Sequence, residues 1–244
     1  MLDPQVSSQG VLIQSLDESF PLYHYQTYKA WPAASLSKLL TAVVVLEEIG
    51  EDKKIEITER SVFTEGRAGN LAHGEVYASR DLLKVMLLAS SNDAATAFED
   101  HVGGVDEFTR LMGRKAREIG MTTSIFHDAS GVSDFNSTSA SDMARLVRYI
   151  LDEHPQILQW TRNPSFLVQP INSVESSLIY NIHPFVEDGR FVGGKTGTSP
   201  KAGENLVSIF TIGKQRVLLI LLGSKDRVQE SEQLLWWVDQ AYGL

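Results

Sequence analysis

The sequence predicts an α+β fold, an α/β/α sandwich whose central antiparallel sheet is built from N- and C-terminal strands, with a helical subdomain inserted between them. Three observations predict it. Strand-like runs cluster at the two ends of the chain, "GVLIQSL" and "PLYHYQ" near the start and "NLVSIFTIG" and "RVLLILLGS" near the finish. The segment between them carries its apolar residues mostly at helical spacing. An amphipathic run, "DRVQESEQLLWWVDQAYGL", closes the chain, so helices are at hand for the faces of the sheet.

Taken in order, "GVLIQSL" (10–16) and "PLYHYQ" (21–26) are joined by the polar turn "DESF" and read as a hairpin. From Ala33 to Gly50, Leu36, Leu39, Leu40, Val43, Leu46 and Ile49 recur at helical spacing, and Gly50 stands where a helix end is often capped. Residues 51–78 are mixed and loop-rich, with "EGRAGN" and "AHGE" marking turns. A helical block from about Ser79 to Gly104 is interrupted at "SSND", and a second helix over Val105–Ile119 stops at Gly120. "FHDASGVSDFNSTSA" is a long polar loop. "SDMARLVRYILDEHP" follows as a helix capped by Ser141 and ended before Pro155. Strands then return in "RFVGGKTGT", "NLVSIFTIG" and "RVLLILLGS", the last two joined by a tight turn at Gly213–Gln215. Residues 27–50 and 79–160 are thus mostly helical, 10–26 and 190–244 form the sheet and closing helix, and 1–244 reads as a single domain. Trp236 and Trp237 on the last helix read as packing against the sheet rather than as a membrane or partner face.

Composition narrows the function. The chain has 244 residues, 43% hydrophobic and 22% charged, the mix of an ordinary globular domain. A net charge of −9 argues against nucleic acid or an anionic membrane as the main partner. With no cysteine there is no disulfide, thiol chemistry or thiolate metal site. The six histidines are scattered without ligand spacing, so no metal and no cofactor is expected. "MLDPQVSSQG" has no basic stretch followed by an apolar one, and the longest apolar runs are strand-sized.

One feature of the first helix asks for explanation. Ser35 and Lys38 lie one turn apart on an otherwise apolar helix. On this segment alone a first-turn serine and a snorkelling lysine are the simpler reading. Two further elements change it: "SSN" at Ser90–Asn92 and "KTGT" at Lys195–Thr198. Each is weak alone, since "SSN" is most often a helix break and "KTG" a turn. In this order and setting they form the ordered signature of class A β-lactamases and penicillin-binding proteins.

The resemblance is closer to one branch. "PAASLSKLLTA", "LLASSNDAATAF", "GVSDFNSTSASDMARLVRYI", "IYNIHPF" before "VGGKTGT", and "LLILLGSKDR" resemble the D-alanyl-D-alanine carboxypeptidases, the low-molecular-mass penicillin-binding proteins, from about residue 10 to the end. The resemblance implies the penicillin-binding transpeptidase/β-lactamase-like fold, an active-site serine, peptidoglycan stem peptides as substrate and β-lactams as covalent inhibitors. It implies a nucleophile at Ser35, a base at Lys38, a proton relay at Ser90, and Asn92 holding the substrate amide and the Lys38 environment. Lys195 with the hydroxyls of Thr196 and Thr198 would receive the substrate's terminal carboxylate, and the backbone N–H groups of Ser35 and Thr198 would form the oxyanion hole. It also implies an extracytoplasmic place of work, with any leader or membrane anchor removed from this chain and no C-terminal β-domain of the kind many relatives carry. Two departures are Ser91, where the branch often has glycine, and Thr198 after "KTG", as in many transpeptidases and β-lactamases.

Physical chemistry agrees with these roles. A serine hydroxyl needs a base, and Lys38 serves only when neutral. Burial among Leu and Val disfavours the ammonium, and Lys195 is expected as a second cation doing the same. Gly197 is expected to keep the strand edge open for a substrate pairing along it. A carboxypeptidase is thus expected, with a DD-endopeptidase or transpeptidase as close variants. A class A β-lactamase needs a glutamate on the loop before the last strands, but between Ile125 and Ala140 the acids are Asp128 and Asp134, with no Glu-x-x-Leu-Asn pattern. A silent wall-peptide binder would have little reason to keep Ser35, Lys38, Ser90, Asn92 and Lys195 together.

Overall fold

The computed structural model describes residues 4–18, 20–66 and 68–244. Strands β1 (Gly10–Ser15) and β2 (Pro21–Tyr25) form the expected hairpin, though Ser19 of its turn lies outside the described residues. Short β3 (Trp31–Pro32) leads into a 3-10 turn, Ala34–Leu36, then α1 (Ser37–Val44) and a π-turn, Val45–Ile49. Within the expected loop region, where Arg67 of "EGRAGN" lies outside the described residues, β4 (Lys54–Glu56), α2 (Glu59–Val62) and β5 (Val76–Ala78) form, with β4 and β5 paired. The helical block is α3 (Ser79–Leu88), α4 (Asn92–His101) and α5 (Val105–Ile119), the last ended by left-handed Gly120 as its sequence predicts.

After the polar loop, β6 (Ser137–Thr138) pairs with β3, and α6 (Ala140–Glu153) follows. Its cap is Ser139, not Ser141. Ser139 has extended backbone and accepts from Asp142 N, whereas Ser141 is already inside the first turn. Helix α7 (Gln156–Thr161) and the hairpin β7 (Ser165–Val168)–β8 (Ser177–Tyr180) precede β9 (Phe191–Ser199), β10 (Gly203–Ile212), β11 (Gln215–Ser224) and α8 (Arg227–Tyr242).

The main sheet runs β2-β1-β11-β10-β9, antiparallel throughout, and its two halves meet where Val11 pairs with Leu221 and Ile13 with Leu219. Strand alternation divides the core. Leu218, Ile220 and Leu222 of β11 face the helical subdomain, while Val217, Leu219 and Leu221 face Leu234, Leu235 and Val238 of α8. Both faces of β11 are covered, hence its unbroken apolar sequence. Truncating Leu219 or Ile220 to alanine would cost about 2–5 kcal/mol. Trp236 departs from expectation: α8 turns it outward, 61% exposed, because its inner face is taken by the three aliphatic residues. Trp237 is half-buried, with an edge-on contact to Tyr23. No helix among the described residues is long and apolar enough to cross a membrane.

Candidate active site

The site forms where α1, the α3–α4 junction, the 127–136 loop and β9 converge. Ser35 sits on the 3-10 turn just ahead of α1, and Ala34 before it takes a left-handed φ of 46°. A non-glycine residue there is uncommon and marks a backbone held by its surroundings. Asn205 of β10 supplies part of that hold, donating to the carbonyls of Pro32 at 2.8 Å and Ala33 at 3.1 Å.

Lys38 is fully buried, and its amine makes three hydrogen bonds: to Ser35 Oγ at 2.9 Å, Asn92 Oδ1 at 2.7 Å and the Ser130 carbonyl at 2.5 Å. Burial lowers its pKa from 10.5 to about 7, against the pull of the Asp128 and Asp93 carboxylates. A neutral amine has two hydrogens and one lone pair. With the hydrogens on Asn92 and Ser130, the lone pair is left for the Ser35 hydroxyl. This geometry is that of a base beside a nucleophile.

The second motif is shaped by Ser90, whose φ of 57° is also left-handed. The resulting bend turns Ser90 toward β9, lets Ser91 cap α4 by accepting from Ala94 N at 3.0 Å, and starts α4 at Asn92. Asn92 is fixed from behind, its Nδ2 donating to the Glu65 carbonyl at 2.7 Å.

On β9, Lys195 is 2% exposed and donates to Ser90 Oγ at 2.9 Å and to the Thr196 carbonyl at 2.8 Å. Its pKa falls well below the ordinary lysine value, through burial first and then through Lys38 and Arg227. Lys195 thus has Lys38 as a neighbouring cation, as the sequence led us to expect, while at Lys38 itself burial is the largest cause and the Asp128 and Asp93 carboxylates oppose it.

Gly197 has a reason the strand edge did not supply. A Cβ there would lie 3.1 Å from both Ser35 N and the Ala33 carbonyl, so glycine lets the strand close onto the turn that bears Ser35. Thr196 is buried, whereas Thr198 lies at the cleft with its hydroxyl accepting from Arg227 Nη2 at 2.5 Å. Arg227 escaped the sequence reading. Its guanidinium also donates to the carbonyls of Gly197 at 3.2 Å and Asn205 at 3.0 Å, and Glu204 braces it at 3.3 Å. The available signal was an arginine directly after the Asp226 cap of the closing helix, the one end of that helix near "KTGT".

The cleft, about 580 Å³, is lined by Ser35, Asn92 and Thr198 together with Glu65, Phe135 and Lys201. Of the eight expected site residues, Ser35, Lys38 and Asn92 join in one hydrogen-bonded group, and Ser90, Lys195 and the Thr196 carbonyl in another. Gly197 and Thr198 run between them on β9. Among the described residues there is no group of three or more His, Asp or Glu able to hold a metal ion.

Comparison with known proteins gives consistent matches. The family described as D-alanyl-D-alanine carboxypeptidase matches residues 2–226. The D-alanyl-D-alanine carboxypeptidase DacC of Escherichia coli is 32% identical over 224 residues, covering 84% of this chain and 54% of that protein. This chain therefore spans about half the length of that relative. A D-alanyl-D-alanine endopeptidase of Pseudomonas aeruginosa is 27% identical over 260 residues, covering 98% of this chain and 79% of the relative. Among solved structures, penicillin-binding protein D2 of Listeria monocytogenes in its cefotaxime-bound form superposes with a TM-score of 0.83 at 25% identity, covering 98% of this chain and 99% of that one.

Proposed function

This chain belongs to the D-alanyl-D-alanine carboxypeptidase family, and from that membership we propose that it removes the terminal D-alanine from peptidoglycan stem peptides through an acyl-enzyme on Ser35. One observation carries the reading: the 2.9 Å contact between Ser35 Oγ and the amine of a fully buried lysine held near neutral pH in its titration. Ser35 Oγ attacks the carbonyl carbon of the penultimate D-alanine as its proton passes to Lys38 Nζ. The backbone N–H groups of Ser35 and Thr198 take the negative charge of the tetrahedral oxygen. The C–N bond then breaks, and the leaving D-alanine amine takes a proton through Ser90, which Lys195 holds in place. Lys38, neutral again, takes a proton from the water that attacks the ester and returns it to Ser35 Oγ as the acyl C–O bond breaks. Lys195, Thr198 and Arg227 form a cationic end for the substrate's carboxylate, with the Thr196 hydroxyl beside them.

A β-lactam presents the same carbonyl and carboxylate to the same groups, so it acylates Ser35. Its clearance should be slow. Asp128 spends both carboxylate oxygens on its own turn, and Asp134 pairs with Lys201 at 3.0 Å, so neither is poised to activate a water. The place of work is the cell envelope, where the polymer lies. Activity on cross-bridges is a second reading, supported by the similarity to an endopeptidase. Release of D-alanine from a diacetyl-Lys-D-Ala-D-Ala peptide, absent in Ser35→Ala, is the expected result. Cleavage of a cross-linked dimer without D-alanine release would favour the endopeptidase, and neither activity would overturn the reading.

A further inference from the structure

We propose that Asp128 is a positioning residue for Lys38: its carboxylate winds residues 128–133 into the turn that carries the Ser130 carbonyl to the lysine amine, and its negative charge faces that amine from the loop. The proposal rests on the reading of Lys38 as the base.

The turn is built around this one carboxylate. Oδ1 accepts from Ser130 N at 2.7 Å, Ser130 Oγ at 2.8 Å and Gly131 N at 2.5 Å, and Oδ2 accepts from Ser133 N at 2.7 Å. Both oxygens of this side chain are thus engaged by its own turn. The turn in turn is clamped on three sides. Ala129 donates to Glu99 Oε1 at 2.8 Å and accepts from Thr41 Oγ1 at 2.7 Å. Asn136 Nδ2 reaches the Asp128 carbonyl at 3.2 Å, and a Cβ on Gly131 would fall 1.9 Å from the Ala34 carbonyl, so the turn lies directly on the nucleophile's own backbone. The Ser130 carbonyl is therefore delivered to Lys38 with little freedom.

The charge has a purpose of its own. Burial alone would leave Lys38 a very weak base, and a base works best when its pKa lies near the working pH. Facing the amine are Asp128 from the loop and Asp93 from α4, which restore basicity, and Lys195 from β9, whose own proton Lys38 weakens. Glu99 of α4 faces Asp128 across Ala129 and is itself paired with Arg60 at 2.8 Å.

Asp128→Asn keeps an oxygen for the Ser130 and Gly131 donors, gives up the bond from Ser133 N and removes the charge, whereas Asp128→Ala removes every acceptor as well. The amine of Lys38 can be followed by ¹³Cε NMR, its signal assigned by its absence in Lys38→Arg. In Asp128→Asn its titration midpoint should fall by about one unit. The pH profile of labelling by fluorescent penicillin should move down equally, with a plateau within a few-fold of wild type. Asp128→Ala should lose about tenfold or more of that plateau, and the asparagine variant should recover it. An unmoved or rising Lys38 midpoint in a folded Asp128→Asn protein overturns the proposal, as does an unchanged plateau in Asp128→Ala. The NMR arm needs no activity, so these failures are separate from failure of wild type to label, which would instead overturn the reading of Ser35.

Discussion

The two walls of the cleft each bury one lysine, and their surroundings have opposite character. On the helical wall Lys38 faces two carboxylates and touches the serine; on the sheet wall Lys195 faces two cations and touches Ser90. Burial depresses both. Carboxylates then restore part of the basicity of the first, which suits a group that takes and returns a proton. Cations depress the second further, so the sheet wall gains most when an anion arrives beside Lys195 and Arg227. On the proposed reading, the same residue type at the same depth would serve as proton carrier on one wall and as carboxylate receptor on the other, and the carboxylates beside Lys38 are what set the two apart.

The largest effects should break the helical wall. Ser35→Ala should abolish covalent labelling by penicillin, with a stability change of about 1 kcal/mol for loss of the hydrogen bond to Lys38. Labelling at the wild-type rate would remove the nucleophile from Ser35. Lys38→Arg should slow acylation by about 10²–10⁴-fold, because a guanidinium keeps its proton at any working pH. Substantial activity in that variant would move the base elsewhere, to Ser90 first.

Changes to the sheet wall should be smaller and should depend on the substrate's carboxylate. Amidating that carboxylate should hurt wild type far more than Lys195→Ala, with a coupling of about 2–5 kcal/mol in a double cycle of enzyme and substrate. Simple additivity would count against the contact. Arg227→Ala removes the donor on Thr198 and should raise KM roughly tenfold with a lesser effect on kcat. An effect confined to kcat would place Arg227 in the chemistry rather than in binding.

The comparison also has a signature in stability. Lys38 titrates at about 7 in the folded chain and at the ordinary 10.5 when unfolded. Between those values the unfolded chain binds more protons, so this group makes stability rise with pH across that window. Replacing it with methionine should raise stability at pH 7, and the gain should shrink as pH approaches 10. Urea midpoints across the range measure it, and a gap independent of pH would mean that Lys38 titrates normally.

Much of this was legible in the sequence because the relevant signals are local. Helical spacing placed Ser35 beside Lys38, a broken helix marked Ser90–Asn92, and the two end hairpins implied one sheet. What was missed depends on local backbone conformation or on distant partners. Ser139 and Ser141 differ as caps only in backbone conformation. Trp236 faces out because Leu234, Leu235 and Val238 already fill the inner face. The sign of the charge around Lys38 rests on Asp93 and Asp128, which a residue-by-residue reading could place on neither wall. Gly197 was singled out for the strand edge, and the turn bearing Ser35, which also crowds it, comes from a distant part of the sequence.

The claim that Ser35 and Lys38 form the nucleophile and base of a peptidase is tested most directly by intact-protein mass spectrometry over time after addition of penicillin. A single adduct per chain should form, map to Ser35 and persist for many minutes, while a D-Ala-D-Ala peptide turns over on the untreated enzyme. The opened lactam stays tethered in the adduct and obstructs water, and the nearby carboxylates are already engaged, Asp128 by its own turn and Asp134 by Lys201. An adduct on any other residue, or one that clears within seconds as the antibiotic is consumed catalytically, would contradict the account.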